Sequence, residues 1–259
     1  MLKRLLIFII ILAILTFISL YLPTDIRTLT GKITSPTEIT KNQLQTTQTL
    51  KIIDGDTIKT KQGTIRLLGI NTPEKKQPYY QEAKNFLSII QNQTIQIQQD
   101  KEDLDKYNRK LRYIYYNNQL INLQILEQGL GTTFMTKNLI HQDKLIRAEN
   151  QAKLQQLNLW KKSTHNCTNC IQLQELNQKE EFFIIQNICN QDCNLNAWTV
   201  KDDANHITKL QPLKAMHQQT YQSKSNIWNN DKDRFFLRDN QGHLVIFYEY
   251  QKNNGHPHF

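Results

Sequence analysis

Alternating and periodic apolar positions divide the central part of the chain into short strands and amphipathic helices. In the strand-like stretches apolar residues occur at every second position, and in the helical stretches they recur at a spacing near three to four. The patterns predict two short strands within 50–60, joined by a tight turn at Gly55. They predict further strands at 64–70, 94–98 and 110–116, and helices at 80–90, 120–128 and 141–157. Short strands with helices between and after them predict a small β-barrel that carries three helices.

The pattern changes after residue 178. Strand-like runs occur at 181–188, 197–200, 233–238 and 243–250, separated by Asn, Asp and Gly turns, without a helical period. They predict an all-β antiparallel sandwich over residues 179–252, with Trp198 and Trp228 in its core, followed by a tail at 253–259.

The first 23 residues have the composition of a membrane anchor. Lys3 and Arg4 precede residues 5–22, which contain no charge and come close to the ~20 residues of a membrane-spanning helix. The two cations favour a cytoplasmic N-terminus, so the rest of the chain is expected outside the cytoplasm. Because no small-residue cleavage site follows, an uncleaved transmembrane helix at 1–23 is favoured, and a cleaved, secreted form is the alternative. Residues 24–48, rich in Thr, Gln, Pro and Lys, are predicted to be a linker.

The four cysteines lie in or after a polar stretch, 163–178, that we interpret as a linker between two domains. Two residues separate Cys167 from Cys170 and three separate Cys189 from Cys193, a spacing compatible with tetrathiolate zinc. Free thiols are a third possibility. The predicted topology favours two disulfides, because disulfides persist outside the cytoplasm. A bridge that closes the turn between Cys189 and Cys193 is the simplest pairing, but four cysteines allow three connectivities.

Positive charge is concentrated in the middle of the chain. The whole chain carries 32 Lys and Arg against 23 Asp and Glu, a formal net charge of +9. Between residues 50 and 162 there are 18 basic and 11 acidic residues, whereas the C-terminal part is close to neutral. A local positive field suits a polyanion such as nucleic acid, and a solvated basic surface without a partner is the alternative.

Asp54 and Asp56 are the first candidates for chemistry. One glycine separates them, so in an extended segment both carboxylates point to the same side. Two neighbouring negative charges repel each other, and a divalent cation relieves that repulsion; two solvated aspartates in a turn are the alternative. Arg66, Glu74 and Arg109 on neighbouring predicted segments favour a functional site.

Four ordered blocks between residues 50 and 160 form a recognisable pattern: 53–57 (Ile-Asp-Gly-Asp-Thr), 66–74 (Arg-Leu-Leu-Gly-Ile-Asn-Thr-Pro-Glu), 105–109 (Asp-Lys-Tyr-Asn-Arg) and 157–160 (Leu-Asn-Leu-Trp). Together they resemble the staphylococcal-nuclease-like, or thermonuclease, family. The resemblance implies an OB-fold β-barrel with three helices over 49–162. It also implies calcium-dependent hydrolysis of phosphodiester bonds in DNA or RNA.

The same resemblance implies roles for individual residues. Those implied in catalysis are Arg66 and Arg109, which would bind phosphate, and Glu74, the candidate general base. Those implied around Ca²⁺ are Asp54, Asp56, Asn71 and Thr72. Those implied in contacts with a second phosphate of the substrate are Lys106 and Tyr107. The residue types suit these roles, because guanidinium groups present paired donors to phosphate and calcium prefers oxygen ligands.

Asn71 departs from the family pattern, which usually has an aspartate there as a calcium ligand. An amide oxygen brings no charge, so the resemblance implies weaker calcium binding or another divalent ion. The main alternative function is therefore a catalytically weakened module that binds nucleic acid. A further alternative is a cell-surface interaction protein in which the sandwich carries the function.

The C-terminal part has a second resemblance. The blocks 194–202, 227–233 and 237–245 resemble the lamin-tail domain, an immunoglobulin-like sandwich. This implies a binding or positioning role with an unknown ligand.

Several aromatic residues in the middle segment are interpreted as structural. Strand alternation favours packing in the barrel over base stacking for Tyr113, Tyr115 and Tyr116. His141, near a predicted helix start, is expected to be solvated, and Trp160 is expected to cap the barrel helices.

Overall fold

The computed structural model describes residues 44–134 and 138–251. The predicted anchor at 1–23, most of the predicted linker at 24–48 and the predicted tail at 253–259 lie outside these ranges. Within them, no helix combines the length and the apolar character needed to cross a bilayer.

A closed five-stranded barrel with three helices forms the N-terminal half of the described chain. In chain order its elements are β1 (Leu44–Ile52), β2 (Thr57–Thr60), β3 (Gly63–Leu67), β4 (Ile70–Asn71), α1 (Tyr80–Leu87), β5 (Thr94–Leu104), β6 (Lys110–Tyr116), β7 (Gln119–Leu120), α2 (Ile121–Glu127), β8 (Thr132–Thr133) and α3 (Gln142–Leu154). The barrel strands follow the order β3-β2-β1-β5-β6, and the parallel pairing of β3 with β6 closes the barrel. Short β4 pairs with β8 in a separate ladder.

The apolar positions that predict these elements fill one core. Ile58 on β2 and Ile65 on β3 are fully buried, as are Leu87 on α1 and Leu145 on α3. Burying an aliphatic side chain of this size contributes about 1.5–3 kcal/mol. This shared core holds the helices against the barrel, and the predicted barrel with three helices is confirmed.

Strand β1 begins at Leu44, inside the stretch 24–48 that the sequence predicts to be a linker. Its first half pairs antiparallel with β5, from Leu44 opposite Gln98 to Gln48 opposite Thr94. This half consists mainly of Gln and Thr, so no apolar alternation reveals the strand in the sequence. The barrel therefore starts earlier than the composition indicates.

Two antiparallel sheets form the C-terminal half. Their strands are β9 (Ile171–Asn177), β10 (Phe182–Asn187), β11 (Thr199–Lys201), β12 (Ile207–Lys209), β13 (Gln218–Gln222), β14 (Lys232–Arg238) and β15 (Leu244–Gln251). The sheet orders are β13-β10-β9 and β12-β11-β14-β15, and both sheets contribute to a core that includes the predicted Trp198 and Trp228. Strand β9 lies inside the predicted linker at 163–178, so the sheets begin before residue 179.

Two disulfides lie beside the start of this half. They join Cys167 to Cys193 and Cys170 to Cys189, with Cα–Cα distances of 5.8 and 5.2 Å. The predicted bridge between Cys189 and Cys193 is wrong, because each of these turn cysteines pairs with one from the segment before β9. All four sulfurs are in disulfides, which excludes the zinc and free-thiol alternatives.

The two halves share a small aromatic core. Trp160 is buried and its ring lies 5.9 Å from the Phe236 ring and 5.5 Å from the Phe247 ring, centroid to centroid. Ala152 on α3 and Leu244 on β15 complete the cluster. Trp160 therefore joins the barrel helices to the sandwich, a wider role than the cap that the sequence indicates.

A buried cation also connects the halves. Arg234, on β14, lies 2.8 Å from Glu149 Oε1 on α3 and 2.5 Å from Asp203 Oδ1 on the β11–β12 loop. Its Nη2 also donates to the carbonyl of Thr133 on β8. Because an unpaired buried charge is strongly destabilising, this network makes the contact between the halves specific.

We predict that Arg234→Met destabilises the whole described unit. The substitution leaves the Glu149 and Asp203 carboxylates without their buried cation, and we expect a loss of about 3–5 kcal/mol in the free energy of unfolding, measured in urea. Lys232→Met on the same strand is the control: its ion pair with Glu249 is about half exposed and is worth at most about 1 kcal/mol. Equal losses in the two variants would contradict the assignment.

Candidate active site

The turn between β1 and β2 presents Asp56 in a buried position. A Cβ at Gly55 would lie 2.7 Å from both Ala83 Cβ and Thr72 Oγ1, so only glycine allows the turn to pack this closely. Asp56 Oδ2 accepts hydrogen bonds from the Thr72 amide and hydroxyl, at 2.9 and 3.0 Å. Its Oδ1 accepts the Thr57 hydroxyl at 3.0 Å. The carboxylate is thereby fixed in one orientation.

Arg66 on β3 contacts the same carboxylate. Thr57 and Arg66 are directly opposite in the β2–β3 ladder, which brings Arg66 beside the turn. Arg66 Nη1 lies 3.0 Å from Asp56 Oδ2 and also donates to the Leu67 carbonyl. Nη2 donates to Asn71 Oδ1. The Arg66 side chain is 12% exposed, so it is held in place and still faces solvent in part.

Arg109 approaches from the turn before β6. Its Nε pairs with Asp105 Oδ2 at 2.6 Å, and its Nη1 donates to the Thr57 hydroxyl at 3.3 Å. The parallel pairing of β3 with β6 brings this turn next to Arg66. Two guanidinium groups, distant in the sequence, thus meet at the pair formed by Asp56 and Thr57.

Lys106 and Tyr107 lie at the edge of this arrangement. Tyr107 is 67% exposed, and its ring centroid is 5.1 Å from Lys106 Nζ and 5.3 Å from Arg109 Cζ. Cations over an aromatic face attract the ring, so Tyr107 is held beside Arg109 while its surface stays open to a ligand.

Asp54 supplies a second carboxylate next to Asp56. Its Oδ1 accepts the Asp56 amide at 3.4 Å. Burial, together with the negative charge of Asp56, raises the pKa of Asp54 to about 6. The side chains of Asp54, Asp56 and Asn71 and the backbone carbonyl of Thr72 all offer oxygen, the ligand type of hard cations, although Asp56 and Asn71 already accept hydrogen bonds within the protein. Among the described residues, no three His, Cys, Asp or Glu side chains cluster in a way that could hold a metal.

Glu74 lies on the loop that leaves β4. Thr72 and Pro73 are buried next to Asp56, whereas Glu74 is exposed. Its amide donates to Gln77 Oε1 at 3.0 Å, and its carboxylate has no hydrogen-bond partner in the described part of the chain. Glu74 is therefore an exposed carboxylate two residues after Thr72, whose amide and hydroxyl bind Asp56.

Asn71 contacts both halves of the molecule. Its Oδ1 accepts Arg66 Nη2, and its Nδ2 donates at 2.8 Å to the backbone carbonyl of Asp203, 132 positions further along the chain. A carboxylate at this position could not donate that bond. The sequence interpretation treats Asn71 as a weak metal ligand and misses this bridge, because nothing local to Asn71 points to the C-terminal half.

The sequence interpretation also misses the buried polar residues that continue the network from Asn71, namely Asp203, Arg234, Glu149 and Thr133. Thr133 on β8 donates its amide and hydroxyl to Glu149, at 2.8 and 3.1 Å. Arg234 links Glu149 to Asp203, and burial raises the pKa of the Asp203 carboxyl to about 6 despite that cation. What reveals these residues is the pairing of the buried Glu149 carboxylate with Arg234, which lies far away in the sequence. This pairing is visible only in the folded chain.

The sequence predicts that His141 is solvated, but the structure shows it half-buried. Its Nε2 is 2.7 Å from the Tyr115 hydroxyl, and its ring packs edge-on against Tyr113. Burial, with the nearby charge of Lys144, lowers the pKa of His141. Tyr113 is fully buried and donates to Asp100, which confirms its structural role.

Comparisons with known proteins indicate the family of the chain. The sequence profile described as "Staphylococcal nuclease homologue" matches residues 64–162. The thermonuclease of Staphylococcus hyicus is 32% identical over 128 residues, which covers 45% of this chain and 76% of the relative. The thermonuclease of Staphylococcus intermedius is 33% identical over 43% of this chain and 74% of the relative. Endonuclease YncB of Bacillus subtilis is 34% identical over 44% of this chain and 60% of the relative. The chain therefore belongs to the family of staphylococcal nuclease homologues.

Proposed function

We propose that this protein hydrolyses phosphodiester bonds of DNA or RNA with the help of a divalent cation, calcium being favoured. The observation that carries the proposal is the meeting of Arg66 and Arg109 at the buried pair formed by Asp56 and Thr57. Relatives named thermonuclease and endonuclease support the same reaction.

The two arginines would bind the phosphate to be cleaved. Guanidinium groups stay cationic at any working pH and present paired donors to phosphate oxygens. Asp56 and Asn71 orient Arg66, and Asp105 orients Arg109, so both donor sets are fixed before substrate arrives. Fixed cations of this kind stabilise negative charge that develops on the phosphate oxygens.

Asp54 and Asp56, with oxygens of Asn71 and Thr72, would hold the cation. A bound Ca²⁺ supplies Lewis-acid charge to the phosphate and helps to orient it. Because the two carboxylates lie side by side, their mutual repulsion favours a site that gains positive charge.

Glu74 would act as the general base. A water molecule would attack phosphorus while Glu74 accepts its proton, the bond from phosphorus to the ester oxygen would break, and the leaving oxygen would take up a proton from solvent to give the free hydroxyl. Proton transfer of this kind typically contributes about 10²–10⁴ in rate. Lys106 and Tyr107 would contact the next phosphate of the strand, beside Arg109.

A second candidate function is nucleic-acid binding without cleavage. The observation that favours it is that Asn71 Oδ1 and both oxygens of Asp56 already accept hydrogen bonds, so a cation must displace some of them. The basic middle segment would then bind nucleic acid through salt-dependent contacts alone.

We further propose that the enzyme acts outside the cytoplasm, anchored to the membrane through residues 1–23, with a secreted form as the alternative. The two disulfides support an oxidising compartment. For the C-terminal half we retain the lamin-tail-like domain as a proposal, supported by its two stacked sheets and buried tryptophans. Its ligand is unknown.

The proposed reaction predicts strict dependence on a divalent cation. Purified full-length protein should cleave single-stranded DNA with millimolar calcium and stop when a chelator is added, as read on a denaturing gel. No cleavage with calcium, magnesium or manganese would reject the reaction. DNA retention that weakens with salt under the same conditions would select the binding module instead.

The roles of the arginines predict a selective loss of activity. Arg66→Lys and Arg109→Lys keep the charge but lose the paired donors, and we expect kcat/KM on single-stranded DNA to fall about 10²–10³-fold, as for the removal of a fixed donor to developing charge. Arg147→Lys, an exposed position on α3, is the matched control and should change little. Similar small effects in all three variants would refute the assignment.

The double contact of Asn71 predicts opposite effects of one substitution. Asn71→Asp adds a charged ligand, so half-maximal activity should need less calcium, but it removes the donor to the Asp203 carbonyl. We expect a stability loss of about 1–3 kcal/mol in urea for the unsatisfied carbonyl. Asn71→Ala should lose stability without the gain in calcium response. An unchanged calcium titration in Asn71→Asp would place the cation elsewhere.

A further inference from the structure

A cavity of about 770 Å³ opens between the loop that follows β4 and the C-terminal half. One wall is the loop from Asn71 to Pro78, which carries Thr72 and Glu74 of the candidate active site. The other wall is formed by β11, β12 and the end of β14. The cavity therefore shares Asn71, Thr72 and Glu74 with the candidate active site.

The charged residues that line this cavity are mainly basic. The basic residues that line it are Lys75, Lys76, Lys201, Lys209 and Arg238, and the acidic ones are Glu74 and Asp239. The carboxylate of Asp239 is engaged elsewhere, because it accepts Ser163 Oγ at 2.7 Å and the amides of Gln241 and His243. The excess of positive charge thus faces the cavity.

Arg238 provides a donor that the protein itself does not use. The side chain is buried, and Nη1 donates to the carbonyls of Leu159 and Gly242. Nη2 is also buried and has no hydrogen-bond partner among the described residues. An unsatisfied buried donor on a cation is costly, and a small shift of the Arg238 side chain toward the cavity would let an anion there satisfy it.

Lys201 adds a second cation to the same wall. Its Nζ donates to the Asp202 carbonyl and to Asn205 Oδ1, and it makes no ion pair within the described ranges. Burial, with the charge of Arg238 as the next cause, lowers the pKa of Lys201 to about 8. Lys201 and Arg238 disfavour each other's positive charge, so an anion bound in the cavity near both would stabilise both.

We infer that this cavity binds a backbone phosphate of a single nucleic-acid strand that extends beyond the scissile bond. This inference rests on the proposed nuclease function, since it is the same strand that both sites contact. A cavity of about 770 Å³ falls in the range of small-molecule pockets, about 300–1,000 Å³, and so suits a nucleotide unit rather than a duplex. The C-terminal half then takes part in substrate binding.

Equilibrium binding tests this inference separately from catalysis. Full-length protein is titrated against 5′-labelled dT12 and dT3 in EDTA, with fluorescence anisotropy as the readout. The test variant is Lys201→Gln/Lys209→Gln, and the matched control is Lys179→Gln/Lys224→Gln, which removes the same charge from exposed positions away from the cavity lining. Urea midpoints establish that each variant is folded.

We expect the Kd for dT12 to rise at least about tenfold in the test variant and less than twofold in the control. In a plot of log K against log salt, the slope for dT12 should become shallower by about 0.7 for each phosphate that the variant no longer neutralises. In the test variant the ratio of the Kd for dT3 to the Kd for dT12 should fall. The reason is that dT3 is too short to reach both the candidate active site and the cavity, so only dT12 loses a contact. Equal effects in the two variants, or no effect in either, would overturn the inference.

Two further variants keep the inference falsifiable if Lys201 cannot be replaced. Lys76→Gln/Lys209→Gln removes only exposed cations of the cavity rim and should weaken dT12 binding by the same criterion. Arg238→Lys keeps a charge but removes the unused Nη2 donor, and it should also weaken dT12 more than dT3. The binding assay contains EDTA and therefore measures binding without cleavage. If the protein binds as expected here but does not cleave DNA in the separate assay with calcium, magnesium or manganese, the proposed reaction is rejected and the cavity assignment still stands.

Discussion

The buried carboxylate of Asp56 determines how the candidate site is built. A buried anion requires donors on every side, and here they come from Thr57, Thr72 and Arg66, on three different segments. Satisfying this one group therefore fixes the β1–β2 turn, strand β3 and the loop after β4 relative to each other. Arg109 joins through the Thr57 hydroxyl, so the position of both guanidinium groups follows from the same constraint.

The constraint extends beyond the barrel. Arg66 contacts Asn71, Asn71 contacts the Asp203 carbonyl, and the Asp203 carboxylate pairs with Arg234, which also binds Glu149 on α3. Each step is a buried or half-buried polar contact that would be unfavourable if its partner moved away. Together with the packing of Trp160 on Phe236, this makes the sandwich part of the support of the site, in contrast to a tethered appendage.

Features that depend on local periodicity could be predicted from the sequence. Ile58 and Ile65 alternate with polar neighbours, and the barrel strands follow that alternation. Long-range pairings could not be predicted. The bond from Asn71 to Asp203 and the disulfide from Cys167 to Cys193 depend on how two sheets pack, which no local pattern encodes. The surroundings of His141 could not be predicted for the same reason, since the Tyr115 hydroxyl that binds it lies on another element.

The amide side chain of Asn71 suits its position between Arg66 and the C-terminal half. Arg66 needs an acceptor and the Asp203 carbonyl needs a donor, and an asparagine side chain provides both in one group. An aspartate would serve Arg66 and a cation better but would face the Asp203 carbonyl with a second acceptor. A barrel without the sandwich has no such carbonyl to satisfy. Asn71 thus links Arg66 to the C-terminal half, and part of the support of the Arg66 guanidinium comes from that half.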